Sequence, residues 1–231
     1  MAYVKRIVCL ANSCKPRGRC IAGKEMLATG EYGGWIRAVS ARSTAEVSLF
    51  ECEYRDGTIP VLMDIIDVPM RFAAPQDHQT ENHVIDIGRW MKRGRLSWDE
   101  LEELCEQPES IWINSDHTNQ GQYDCISREE AATLGNSLML IHKKDFTVEV
   151  TSRIWDGVRS RTYRGKFDHN GAHYNLSVTD PVVRDVFQEH KEGDYPLKDV
   201  YLCISLTEPY KEDGRCHKLV AAVIGNPPLR A

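Results

Sequence analysis

Apolar and polar positions alternate most regularly between Phe146 and Val178. Phe146, Val148, Val150 and Ile154 alternate with Thr147, Glu149, Thr151 and Arg153, the period of a half-buried strand, with Ser152 the one weak inward position. A three-residue loop, Trp155-Asp156-Gly157, with Gly157 in the left-handed position, sets Ile154 against Val158 on the buried side. The other side then brings Arg153 to Arg159, Thr151 to Arg161 and Glu149 to Tyr163. Arginines placed directly opposite each other repel, so this face awaits an anion unless Glu149 or an acidic loop neutralises it. A second loop, His169-Asn170-Gly171, adds His173, Asn175 and Ser177 to the polar face and turns Ala172, Tyr174, Leu176 and Val178 inward. Arg164 and Lys166 fit this register badly, because it points them at the core and needs a bulge or a barrel rim to let them reach water. A solvated sheet face explains the same charges without a ligand. Against that, five basic residues on two strands, interleaved with Trp155, Tyr163 and Phe167, exceed what solubility requires.

The same patterning orders the rest of the chain. Val4 to Leu10 reads as a strand, Asn12 to Gly23 as a long basic surface loop, Gly34 to Val39 as a second strand, and Ile59 to Val68 as a third that ends at Pro69. Ser97-Trp98-Asp99-Glu100 is a capping box before Leu101 and Leu104, with Pro108 as the stop; a second box, Ser127 to Glu130, opens a short helix that Gly135 ends. The expected boundary falls there, with domains at 1–135 and 136–231. In the second, strands at 137–154, 158–167 and 172–178 precede a helix capped by Asp180 with Pro181 at its first position, and strands at 200–206 and 216–224 follow. Three strands, a helix and two strands is the order of the oligonucleotide/oligosaccharide-binding (OB) barrel, whose ligands lie on the second and third strands and the loop before them. The fold class expected is mainly β with α insertions, two OB-like β-barrels with short helices between them, the first half repeating the pattern only loosely.

Bulk numbers narrow the function classes. A chain of 231 residues, 42% hydrophobic, can bury a real core. Its net charge of −5 confines any nucleic-acid surface to a local patch. The eight cysteines make an even set, but Val4 to Leu10 is too short for a secretory signal, and no apolar run approaches the roughly 20 residues that span a bilayer. A soluble, reduced, cytoplasmic protein is the expectation, with thiols acting as small apolar groups.

Several stretches resemble a known family. Lys5 to Cys9 with Leu10-Ala11-Asn12-Ser13, Gly18-Arg19-Cys20-Ile21-Ala22-Gly23, Gly34-Trp35-Ile36-Arg37 and His78-Gln79-Thr80-Glu81-Asn82 are similar to the prokaryotic dual OB-containing domain family, as are Tyr201 to Leu206 and Lys218 to Ile224. The resemblance implies two OB barrels and, by analogy of fold, nucleic-acid binding. It carries over no catalytic residue.

Gly18 to Glu25 matches a phosphate-loop spacing until Glu25 stands where Ser or Thr should hold magnesium, and the loop starts well past its strand. Lys15, Arg17, Arg19 and Lys24, with amides freed by Gly18 and Gly23, could instead hold nucleic-acid phosphates. No cysteines form a CxxC pair; Cys9, Cys14 and Cys20, or His78, Glu81 and His83, or Cys203, Cys216 and His217, are loose metal candidates, and no metal, cofactor or catalytic residue is assigned. Asp64 could ligate magnesium or mark a strand edge. The resulting expectation is a nucleic-acid-binding protein, of single-stranded DNA or RNA, using Arg153, Trp155, Arg159, Arg161, Tyr163, His173 and Asn175 with Trp35, Arg37 and the basic loop, where rings stack on bases and cations follow phosphates. The rival is a nucleotide- or metal-dependent enzyme or small-ligand sensor using Gly18 to Lys24 and His78 to His83; a third reading is a protein-interaction module.

Overall fold

The computed structural model describes residues 2–15, 18–155 and 158–229, the side chains of Trp155, Val158 and Arg159 excepted. The expectations placed on Arg17, on the Asp156-Gly157 turn and on the Trp155 and Arg159 side chains lie outside the described residues. The chain divides into two compact units, 1–104 with 135–137 and 105–134 with 138–231.

In the first unit β1 (Tyr3–Lys15), β2 (Gly18–Met26) and β3 (Tyr32–Val39) form an antiparallel meander. A single turn of helix, α1 (Leu49–Cys52), follows, its start fixed by a capping box between Ser48 and Glu51. β4 (Asp64–Ala73) pairs antiparallel with β1 and with β5 (Asn82–Ile85), while β5 pairs parallel with β3. β6 (Met91–Arg95) extends the edge at β4, and a 3₁₀ helix, Trp98–Leu104, buries Leu101 and Leu104. Ile7, Cys9, Ile21, Ile36, Ile66, Val68 and Trp90 fill the core.

Two sequence expectations change here. The basic loop expected from Asn12 to Gly23 is a hairpin: Asn12 and Ser13 are buried in β1, and Ser13 pairs with Cys20, Lys15 with Gly18. Gly23 sits where a Cβ would lie 1.8 Å from the Val8 carbonyl oxygen, so the glycine serves close strand packing. Likewise β4 runs through Pro69 to Ala73 instead of ending at the proline.

In the second unit β7 (Cys125–Ile126) and α2 (Arg128–Ala131), the latter opened by the Ser127–Glu130 capping box, precede the barrel strands. β8 (Leu138–Trp155), β9 (Val158–His169) and β10 (Ala172–Val178) make the meander, then α3 (Pro181–Phe187), β11 (Gly193–Leu206) and β12 (Cys216–Gly225). Asp180 caps α3 by accepting from Val182 N and ties it to the sheet by accepting from Val223 N, both at 2.8 Å. β10 pairs parallel with β12, and β11 antiparallel with β8 and β12. Both units therefore share one order: three meander strands, a helix, a fourth strand back on the first, and a fifth lying parallel to the third. The protein is mostly β and consists of two OB-like domains.

The register of β8 on β9 differs from the expected one by a single residue. Trp155 pairs with Val158, Arg153 with Ser160, Thr151 with Thr162, and Glu149 with Arg164. A one-residue slip exchanges the faces of a strand. Tyr163, Gly165 and Phe167 thus enter the core beside Phe146, Val148 and Val150, while Arg164 and Lys166 face outward, which removes the misfit noted for those two cations. The next turn has two residues, Asn170-Gly171, both at positive φ (48° and 82°), the conformation that Asn-Gly hairpins favour. The two slips cancel, so His173, Asn175 and Ser177 do face outward, and Tyr174, Leu176 and Val178 do face inward.

Residues 105–134, which a boundary at Gly135 would give to the first domain, pack with the second unit. Ile111, Trp112, Ile126 and Ala131 belong to its core. Polar contacts fix this arm to the barrel interior: the buried Tyr174 hydroxyl exchanges hydrogen bonds with the Asn114 side chain and accepts from Ile111 N, and Lys218 Nζ donates to the Ile113 carbonyl at 2.7 Å.

Candidate functional site

The outer face of β8, β9 and β10 carries most of the charge that drew attention in the sequence, but its cations are largely engaged. Arg164 Nη2 lies 2.9 Å from Asp124 Oδ2, and its Nε donates to Asn175 Oδ1 at 2.8 Å. Lys166 Nζ is 2.7 Å from Glu149 and 3.1 Å from Asp194; burial pulls its pKa down, and these two carboxylates more than reverse that. His173 meets Asp168 at 2.7 Å. Arg161 stands beyond the core with its guanidinium on the His190 carbonyl, and Tyr163, expected as a stacking platform, is 7% exposed within the core. Arg153 is exposed and makes no ion pair among the described residues.

Across the outer face, loop 117–124 and the β11–β12 loop, 207–215, wall a groove of about 770 Å³. The first wall is folded around one carboxylate: Asp124 accepts from Thr118 N and Thr118 Oγ1 at 2.7 Å each, besides Arg164. Only a glycine permits that wrap at 121, because a Cβ there would fall 1.7 Å from Asp124 Oδ2. The second wall is pinned by Arg215, which bridges Asp116 at 2.9 Å and Asp213 at 3.1 Å. Its bond to Asp116 raises the Arg215 pKa and lowers that of Asp116. His217 Nε2 lies 3.2 Å from Asp213 Oδ2, and the Tyr210 ring stands edge-on to His217 at 5.7 Å with half its surface exposed. Arg153 reaches the groove from the end of β8, and Arg164 lines its floor.

The sequence reading missed Tyr210, Glu212, Arg215 and Asp124. Its own strand assignments already placed 207–215 between the fourth and fifth strands of an OB order, a position from which such barrels contact ligands.

The first-half candidates have other roles. Lys15 is exposed at the end of β1. Arg19 exchanges backbone bonds with Val47 and donates to Cys14 Sγ at 3.0 Å. Lys24 lies over the Trp35 ring, 5.4 Å from its centroid. Trp35 and Arg37 are buried, at 9% and 4% exposure, and so do not form an open stacking surface. Arg37 Nη2 is 3.1 Å from Glu81 Oε1 and 2.8 Å from Ser137 Oγ, and Ser137 in turn donates to Glu81. His78, Gln79, Glu81 and Asn82 are thus buried, and Glu81 staples the β4–β5 loop to β3 through Arg37.

The segments named for the rival enzyme reading have structural partners of their own. Gly18 to Lys24 is strand β2, its amides spent on β1 and β3 and not gathered around a phosphate. Asp64 accepts from Tyr54 and pairs with Lys92 at 2.7 Å. Among the described residues no group of three or more His, Cys, Asp or Glu is placed to hold a metal ion and no cysteines are joined in a disulfide, with burial raising the Cys52 and Cys125 thiols to about 11.

A family model described as the dual OB-containing domain matches residues 5–223, nearly the whole chain. The chain belongs to the dual OB-containing domain family. No curated protein and no solved structure matches it. Membership in a family with two OB domains agrees with the strand order that the two units repeat. No helix among the described residues is long and apolar enough to cross a membrane.

Proposed function

We propose that the second unit binds single-stranded nucleic acid in the groove between loop 117–124 and the β11–β12 loop. One observation carries this reading: the groove lies on the outer face of the meander strands and is walled by the loop joining the fourth and fifth strands, where OB barrels receive oligonucleotides. Its volume is within the range of about 300–1,000 Å³ typical of small-ligand sites. Arg153 supplies a cation with no ion pair among the described residues and Tyr210 an exposed ring, the two elements that single-strand binding combines. The family and the fold support an OB protein; the nucleic-acid ligand is our reading of this groove. A binding titration with single-stranded DNA, RNA and duplex tests it. Tyr210→Ala should weaken single-strand binding about tenfold, since one base–aromatic stack contributes about 1–3 kcal/mol. Equal affinity of Tyr210→Ala, Arg153→Ala and wild type would move the site elsewhere.

A second reading, docking of another protein, is favoured by one feature of the first unit. Phe50 (76% exposed) and Ile87 (99%) stand out beside a hollow of about 410 Å³ that Arg71 and Arg89 also line. Retention of a protein partner after nuclease treatment, lost in Ile87→Glu, would support it.

A further inference from the structure

Building on that reading, we infer that the groove recognises its nucleic acid by the bases, guanine foremost, and takes almost nothing from the phosphate backbone. The distribution of charge leads there. Arg164 is committed to Asp124, and Arg215 to Asp116 and Asp213, at 2.9 to 3.1 Å. Lys218 is wholly buried and spends its ammonium on the Ile113 carbonyl and Asn114 Oδ1. Of the arginines and lysines lining the groove, Arg153 is the one with no ion pair among the described residues, and so the one left for a phosphate.

The unspent groups in the groove are of another kind. Glu212 is exposed, and its one bond among the described residues is a long one, 3.5 Å, from the Tyr210 hydroxyl. The side-chain amides of Asn119 and Gln120 make no hydrogen bond among the described residues. A phosphodiester has no proton to give, so Glu212 and Asp213 repel it. A base has both a face for Tyr210 and N–H groups for a carboxylate. Guanine presents N1–H and N2–H side by side, so Glu212 can accept two parallel bonds from it; adenine, cytosine and thymine offer a carboxylate fewer. Amides complement either donor or acceptor on the remaining edge.

The test uses the full chain and three fluorescent hexanucleotides: thymine throughout, one guanine among thymines, and an abasic site at that guanine position, each titrated between about 50 and 300 mM salt. The guanine probe should bind about tenfold more tightly than the others, the scale of one bidentate pair. The slope of log K on log salt should lie near −0.7, one phosphate on a single strand, where a groove using all three arginines would give about −2. Glu212→Gln, on an exposed loop, should abolish the guanine preference and leave the slope alone. Equal binding of all three probes with a slope of −2 or steeper overturns the base reading and leaves nucleic-acid binding standing. Binding of none of them overturns both.

Discussion

Replacing Gly165 by alanine tests the register on which the site rests. In the observed pairing Gly165 faces inward, opposite Val148 and Leu176. A Cβ there would lie 2.6 and 2.7 Å from two Phe146 ring carbons and 3.2 Å from Val220 Cγ2. The Phe146 ring cannot retreat, being 1% exposed and packed on Phe167 at 6.2 Å. Overpacking of this kind costs about 1–3 kcal/mol. Alanine returns about 0.4–1 kcal/mol by restricting the unfolded chain. With two ring contacts under 3 Å the cost falls in the upper part of that range, about 2–3 kcal/mol, so the net loss is about 1–2.6 kcal/mol, which in urea, at a slope of about 2 kcal/mol per molar, lowers the midpoint by about 0.5–1.3 M. In the register with a three-residue first loop the methyl group would point to water, leaving only the gain. The sign of the shift thus separates the two pairings. Gly135→Ala, whose Cβ would meet nothing within 4 Å, is the control and should show only the gain of about 0.4–1 kcal/mol. A Gly165→Ala midpoint equal to or above wild type would refute the pairing, and with it the outward placement of Arg164 and Lys166.

Two other predictions concern buried charge. Arg37→Met should destabilise the first unit by about 3–5 kcal/mol, because it strands the Glu81 carboxylate in the interior, and adding Glu81→Leu should restore most of the loss; a single-variant loss below about 1 kcal/mol in chemical denaturation would contradict the staple. Lys218 has its pKa pushed down to about 8 by burial, against 10.5 for a free lysine. Below pH 8 both folded and unfolded chains carry its proton and the burial penalty is complete; between about 8 and 10.5 the folded chain releases it first, so stability rises with pH, by roughly 3 kcal/mol in all. The difference in unfolding free energy between wild type and Lys218→Met should follow that rise, and a difference that stays flat from pH 7 to 10.5 would mean the ammonium is not held this way.

The architecture was readable because strands, caps and order are local signals. Ser127 with Glu130, and Asp180 with Pro181, cap helices as their sequence states, and the strand–helix–strand order of the second half gives an OB barrel directly. The site was less readable because it depends on register, which one residue of loop length decides. Asn170-Gly171 is the dipeptide of a two-residue hairpin, and the awkward inward position of Arg164 and Lys166 was the sign that the register was one residue off. Other features are long-range: nothing near Arg37 in sequence announces that Glu81 and Ser137 will neutralise and bury it, and nothing near Arg164 announces Asp124. Charge counted along a strand therefore overstated the free charge on the surface.

The chain passes from the first unit to the second at 104, returns for 135–137 and leaves again, so no single peptide bond separates the two. For a chain made from its N-terminus, this order has a cost in time. The Ser137 hydroxyl that completes the Arg37–Glu81 contact emerges only after the 105–134 arm, and that arm then carries Ile111, Trp112 and Ile126 with no barrel to cover them until β12 exists. At about 5–20 residues per second, the roughly 100 residues still to be made leave those side chains wet for about 5–20 s on the ribosome. Nascent-chain chaperones should find this protein first at its arm.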